Sequence, residues 1–95
     1  MKESHSLTNN LLMEVDVLSH RLRNIKQSYK TTENKALKTR LFSENKIIFK
    51  RVNEIHKIAE LLNKNNETIN FSNLLFEITK RILIENKFET NLFFL

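Results

Sequence analysis

The chain has 95 residues, a formal net charge of +5 and no Gly, Pro or Cys. Without Gly neither a Walker loop nor a dinucleotide fingerprint can be built, and β-hairpin turns lose their main supplier. Without Cys there is no disulfide, thiolate metal site or thiol nucleophile, which fits a reducing cytoplasm.

A hydrophobic content of 40% beside 28% charged residues belongs to a globular chain rather than a disordered one. The length suits a single domain, residues 1–95, with a limited core and residues 1–6 as a frayed start. That start lacks the apolar stretch of a signal peptide, and no apolar run approaches the roughly 20 residues of a membrane span. Helices joined by Asn- and Thr-rich turns are what the composition leaves.

Ser6 or Thr8 can cap a first helix, since either hydroxyl can accept from an orphan amide. Leu11, Val15, Leu18, Leu22, Ile25 and Tyr29 then step four, three, four, three, four, a heptad seam that predicts a helix over about 8–30. Such spacing favours long, nearly aligned partner helices. Thr31 or Thr32 can cap a second helix, with Glu33 suited to its positive end. So short a connection makes the two helices antiparallel neighbours. Folding about residues 31–32 sets Leu22 by Leu41, Leu18 by Asn45, Val15 by Ile48 and Leu11 by Val52. Asn45 then either lies in an apolar layer and fixes register, or sits wet at its edge.

The second helix, about 33–62, is the one the others pack around. Leu37, Leu41, Ile48, Val52, Ile55, Ala59 and Leu62 trace its seam, Phe42 and Phe49 a second column, and Ile47, Ile58 and Leu61 a third. So wide an apolar arc calls for more than one neighbour. The Asn cluster of residues 63–70 can end this helix without Gly, because Asn tolerates left-handed backbone. Asn70 or Ser72 then caps a third helix over about 72–87, with continuation to 94 as the alternative. Its expected inner face is Phe71, Leu74, Leu75, Ile78 and Ile82, with Phe76 and Leu83 beside it and Ile84 almost opposite. The predicted fold is all-α: an antiparallel hairpin plus a third helix, arranged as a three-helix bundle.

The third helix and the tail ending Leu92-Phe93-Phe94-Leu95 carry more apolar surface than a slim hairpin covers. Self-association as a two-fold dimer is the expectation, through Phe76, Leu83, Ile84, Phe88, Leu92, Phe93, Phe94 and Leu95. The alternative has the tail folding back on Phe42 and Phe49. The positive charge gathers toward the hairpin turn, in residues 20–57. Arg21, Arg23, Lys26, Lys30, Lys35, Lys38 and Arg40 form a candidate anion-binding patch there. The competing explanation is a solvated helix surface and nothing more.

Candidate chemistry is sparse. His56 and Glu60 stand four apart, but two ligands do not make a metal site, so His56 is expected to be a packed boundary residue. Glu14 and Asp16 diverge on a helix, as do Ser19 and His20, while Glu85 and Glu89 lack a partner that implies a shifted pKa. No catalytic residue, cofactor or metal site is predicted. The heptad hairpin resembles, in architecture alone, many unrelated adaptors, secretion chaperones and scaffold proteins. The expected function is that of a small non-catalytic interaction or adaptor protein, self-associating and meeting a partner protein the residues do not identify. The alternative is a nucleic-acid-associated protein that grips phosphate backbone with the basic hairpin end.

Overall fold

The computed structural model describes residues 2–64 and 70–93, with side chains described for residues 7–64 and 73–85. Three α-helices make up the described residues: α1 (Lys2–Thr31), α2 (Lys35–Lys64) and α3 (Asn70–Phe93). The molecule is a rod of 49 × 19 × 15 Å. At 1.5 Å per residue each hairpin arm is about 45 Å long, so the hairpin spans the whole rod.

α1 starts well before the expected cap. Thr8 lies inside the helix with no exposed surface, so neither it nor Ser6 caps α1. The amphipathic period simply continues upstream: Thr8 precedes Leu11 and Val15 by three and seven residues and falls on the same seam. Leu11, Val15, Leu18, Leu22 and Ile25 are all buried, and Tyr29 packs against them half-buried.

The chain breaks out of helix at residues 32–34. The division of labour there differs from the expected Thr31 or Thr32 cap. Thr31 turns its hydroxyl back to the Gln27 carbonyl of its own helix, at 3.1 Å. The Thr32 hydroxyl accepts the Asn34 N–H, a local turn at 3.1 Å. Asn34 is the cap: its side-chain oxygen accepts the Leu37 N–H at 3.1 Å, while its carbonyl takes the first helical bond from Lys38. Glu33 stands one residue ahead of that cap.

Antiparallel pairing of α1 and α2 follows from one cross-link. Glu14 lies 17 residues before the end of α1 and Arg51 lies 16 after the start of α2, yet their side chains meet at 2.6 Å. The same argument holds for α3. His56 and Thr79 are in contact, eight residues before the end of α2 and nine after the start of α3. α3 therefore runs antiparallel to α2 and alongside α1, packing against both.

On α2 the buried seam is Leu41, Asn45, Ile48, Val52, Ile55 and Ala59. Val52 and Ile55 lose all their exposure, which is worth roughly 1.5–3 kcal/mol for each such side chain. Leu37 belongs to the predicted seam but is 37% exposed, because it sits in the first turn at the hairpin tip, ahead of the buried layers. Leu62 is half-buried. The third column is covered only in part: Ile58 packs half-buried, whereas Ile47 and Leu61 are 70% and 60% exposed. α3 approaches α2 on the opposite flank, at His56, and leaves these two outside.

α3 is rotated from the expected face. Its seam is Leu75, Thr79 and Ile82, with Phe76, Ile78 and Leu83 half-buried beside it, while Leu74 is 48% exposed. Apolarity alone favoured Leu74 over Thr79. The threonine is admitted to the core because its hydroxyl is satisfied there, as described below. The expected Asn loop at 65–69 and the side chains of Asn70, Phe71 and Ser72 lie outside the described residues, but α3 already begins at Asn70, so Ser72 lies inside the helix and does not cap it. The open question of the C-terminal segment resolves as helix to Phe93. Among the described residues no helix is long and apolar enough to cross a membrane.

Candidate functional site

Two polar joints pin the helices, one beside the α1–α2 seam and one within the seam of α3. At the first, the Arg51 guanidinium donates through Nε to Glu14 at 2.6 Å and through a terminal nitrogen to its other oxygen at 2.9 Å. Glu54 lies 3.6 Å from the third guanidinium nitrogen. This fork holds the Glu14 carboxyl below the usual carboxylate range, chiefly through the hydrogen bond from Arg51, against a smaller opposing effect of burial. The same bond raises Arg51 above its ordinary value. Side-chain exposures of 37% for Glu14 and 40% for Arg51 keep the pair in the surface class, worth roughly 1 kcal/mol or less. Sequence reasoning missed it. The predicted register set Val15 by Ile48 and Leu11 by Val52, which put Glu14 opposite Phe49, two residues short of Arg51.

The second joint ties α2 to α3. His56 Nδ1 lies 2.7 Å from the Thr79 hydroxyl, and the His56 ring stacks on Phe76 with centroids 4.6 Å apart. The hydroxyl also reaches the Leu75 carbonyl at 2.8 Å. A carbonyl only accepts, so Thr79 donates to Leu75 and accepts from His56 Nδ1–H. That order makes His56 a positioning contact between helices, packed by its ring face. Glu60, its i,i+4 neighbour, is exposed. Asp16 approaches His20 at 3.6 Å on the open surface of α1, pointing away from Glu14. Among the described residues no three His, Asp or Glu side chains converge as a metal site would require.

The basic patch is brought together at the rod's turn end, though its members differ in surroundings. Arg23, Lys26 and Lys30 border one surface depression with Gln27 and Thr31. Arg21 borders another, between the arms, with Asn24, Ser28 and Glu44. Lys38 lies over the Tyr29 ring, 5.2 Å from its centroid, a cation–π contact. Arg40 is 3.7 Å from Glu44, and Lys35 is exposed in the first turn of α2.

The candidate self-association surface divides. Phe76 and Leu83 are half-buried against the protein's own core, Phe76 under His56. Ile84 is 62% exposed. The side chains of Phe88, Leu92 and Phe93, and residues Phe94 and Leu95 altogether, lie outside the described residues, and with them the question of packing on Phe42 and Phe49. Comparison with family models, with curated proteins and with solved structures finds no match to this chain.

Proposed function

We propose that this chain is a non-catalytic helical interaction protein that pairs with a second copy of itself through the outer face of α3. One observation carries the reading. α3 stays helical to Phe93, which sets Ile84, Phe88 and Leu92 at four-residue steps along a single stripe, and Ile84 at its head is 62% exposed. A stripe of large apolar residues on a continuous helix is the pattern by which helices pair. Two-fold symmetry is the simplest closed solution for one self-complementary patch.

Light scattering over a range of concentrations tests it. A dimer at micromolar concentration is expected, reverting to monomer in Ile84→Glu. Ile47→Glu, on the far flank of α2, is expected to leave the dimer intact. A strict monomer at every concentration would overturn the reading.

A further inference from the structure

Among the described residues, the position of α3 along the hairpin leaves one end of the rod as two helices only. Thr79 is level with His56, and the two helices run in opposite directions. Fourteen residues on from Thr79 is Phe93, the last residue of α3, and fourteen back from His56 is Phe42. The first two turns of α2 therefore project past the end of α3. The Glu14–Arg51 pair sets the facing stretch of α1 at about Arg23 onward.

The charge is divided at the same boundary. Residues 23–42 hold six cations, Arg23, Lys26, Lys30, Lys35, Lys38 and Arg40, against one carboxylate, Glu33, a net of +5. The rest of the chain holds ten cations and ten carboxylates, so its net charge is zero. The whole net charge of the protein thus sits on the projecting tip. Solvated helix surfaces elsewhere on this molecule mix both signs, so mere solvation does not account for the segregation.

We infer that this two-helix tip binds the phosphate backbone of duplex nucleic acid without reading its sequence. The inference stands on charge and on the projection of the tip, and does not rest on the pairing of α3.

Three features select this ligand among polyanions. Between the cations the tip exposes Asn24, Gln27 and Ser28, side chains of the kind that hydrogen-bond phosphate oxygens. Leu37 is the one large apolar side chain exposed among residues 23–42, at 37%. That is too little to anchor in a membrane interface or to form the apolar centre of a protein contact. Tyr29 and Phe42 are half-buried, Tyr29 beneath Lys38, so the tip has no open platform for stacking single-stranded bases. Two helices side by side, each about 10–12 Å across, cannot both enter a major groove about 12 Å wide. Contact across the backbone remains.

The experiment is fluorescence anisotropy of a labelled 30-base-pair duplex with the full chain, from 25 to 200 mM salt. Binding is expected to weaken with salt at a log–log slope of roughly −3 to −5, one counterion term per neutralised phosphate. Duplexes of unrelated sequence should bind alike. The variant Arg23→Gln/Lys30→Gln/Lys35→Gln removes three exposed cations and should lose about 100-fold or more in affinity at 50 mM salt, with a slope flatter by roughly 2–3. Lys50→Gln/Lys57→Gln/Lys64→Gln removes the same charge from the body of α2 and should retain most of the binding. Helical circular dichroism confirms that both variants fold. Equal losses in the two variants would reduce the effect to general charge and overturn the tip as the site. So would tighter binding to the single strand, binding only to phosphatidylserine vesicles, or no binding at 25 mM salt.

Discussion

Three polar side chains, Thr8, Asn45 and Thr79, are buried among the described residues, and they are not equivalent. The Thr79 hydroxyl donates a hydrogen bond to the Leu75 carbonyl and accepts one from His56, so its burial is compensated. Asn45 is 2% exposed, and its side-chain amide makes no hydrogen bond among the described residues. An unpaired buried amide costs about 1–3 kcal/mol. Asn45→Leu should therefore raise stability by an amount of that order in urea unfolding, and unchanged or lower stability would show that the amide is compensated. The ion pair of Glu14 with Arg51 carries a pH dependence of definite sign. Because the folded-state pKa of Glu14 is depressed, its contribution is present above the unfolded value and lost as pH falls through the folded one. Glu14→Gln should thus cost roughly 1 kcal/mol or less at pH 7. The gap between variant and parent should close at acid pH, once Glu14 is protonated in the folded state, and a gap that persists there would assign the cost to packing instead.

At the scale of elements, α1 and α2 meet through seams that are aliphatic nearly throughout, and truncation of those seams should be expensive. Leu18→Ala and Ile48→Ala, at 9% and 5% exposure, are each expected to cost roughly 2–5 kcal/mol. Ser19→Ala, half-buried beside Leu18, should cost almost nothing. Equal losses at the three positions in thermal or urea unfolding would contradict the seam. α3 is held differently. Its buried line is broken by Thr79 and supplemented by the His56–Phe76 stack, so directional contacts set its rotation where apolar bulk alone would have turned Leu74 inward.

Over the whole molecule, shape and charge separate two proposed surfaces. The exposed Ile84 belongs to the three-helix body, whose net charge is zero, and the cations stand on the two-helix tip. Pairing of α3 and binding of phosphate backbone are therefore expected to fail independently. Ile84→Glu should dissociate the dimer with little change in duplex affinity per chain, while the tip variant should lose the duplex and keep the dimer. Loss of both functions in either variant would join the surfaces into one.

The heptad steps of α1, the seam of α2 and the short Thr-Asn connection were sufficient to specify an antiparallel all-α hairpin with a third helix on it. Periodicity and turn chemistry act over a few residues, and they hold whatever the neighbours are. Even so, the cap of α2 fell to Asn34 rather than a threonine, since the neighbouring hydroxyls were taken by the end of α1 and by the turn itself. The tertiary structure alone decided the rotation of α3, the burial of Thr79 in place of Leu74, the meeting of Glu14 with Arg51, and the point where α3 stops short of the hairpin tip. Each depends on which surfaces face one another across the gap between helices. Contacts made through space carry no fixed spacing along the chain, so no local pattern announces them.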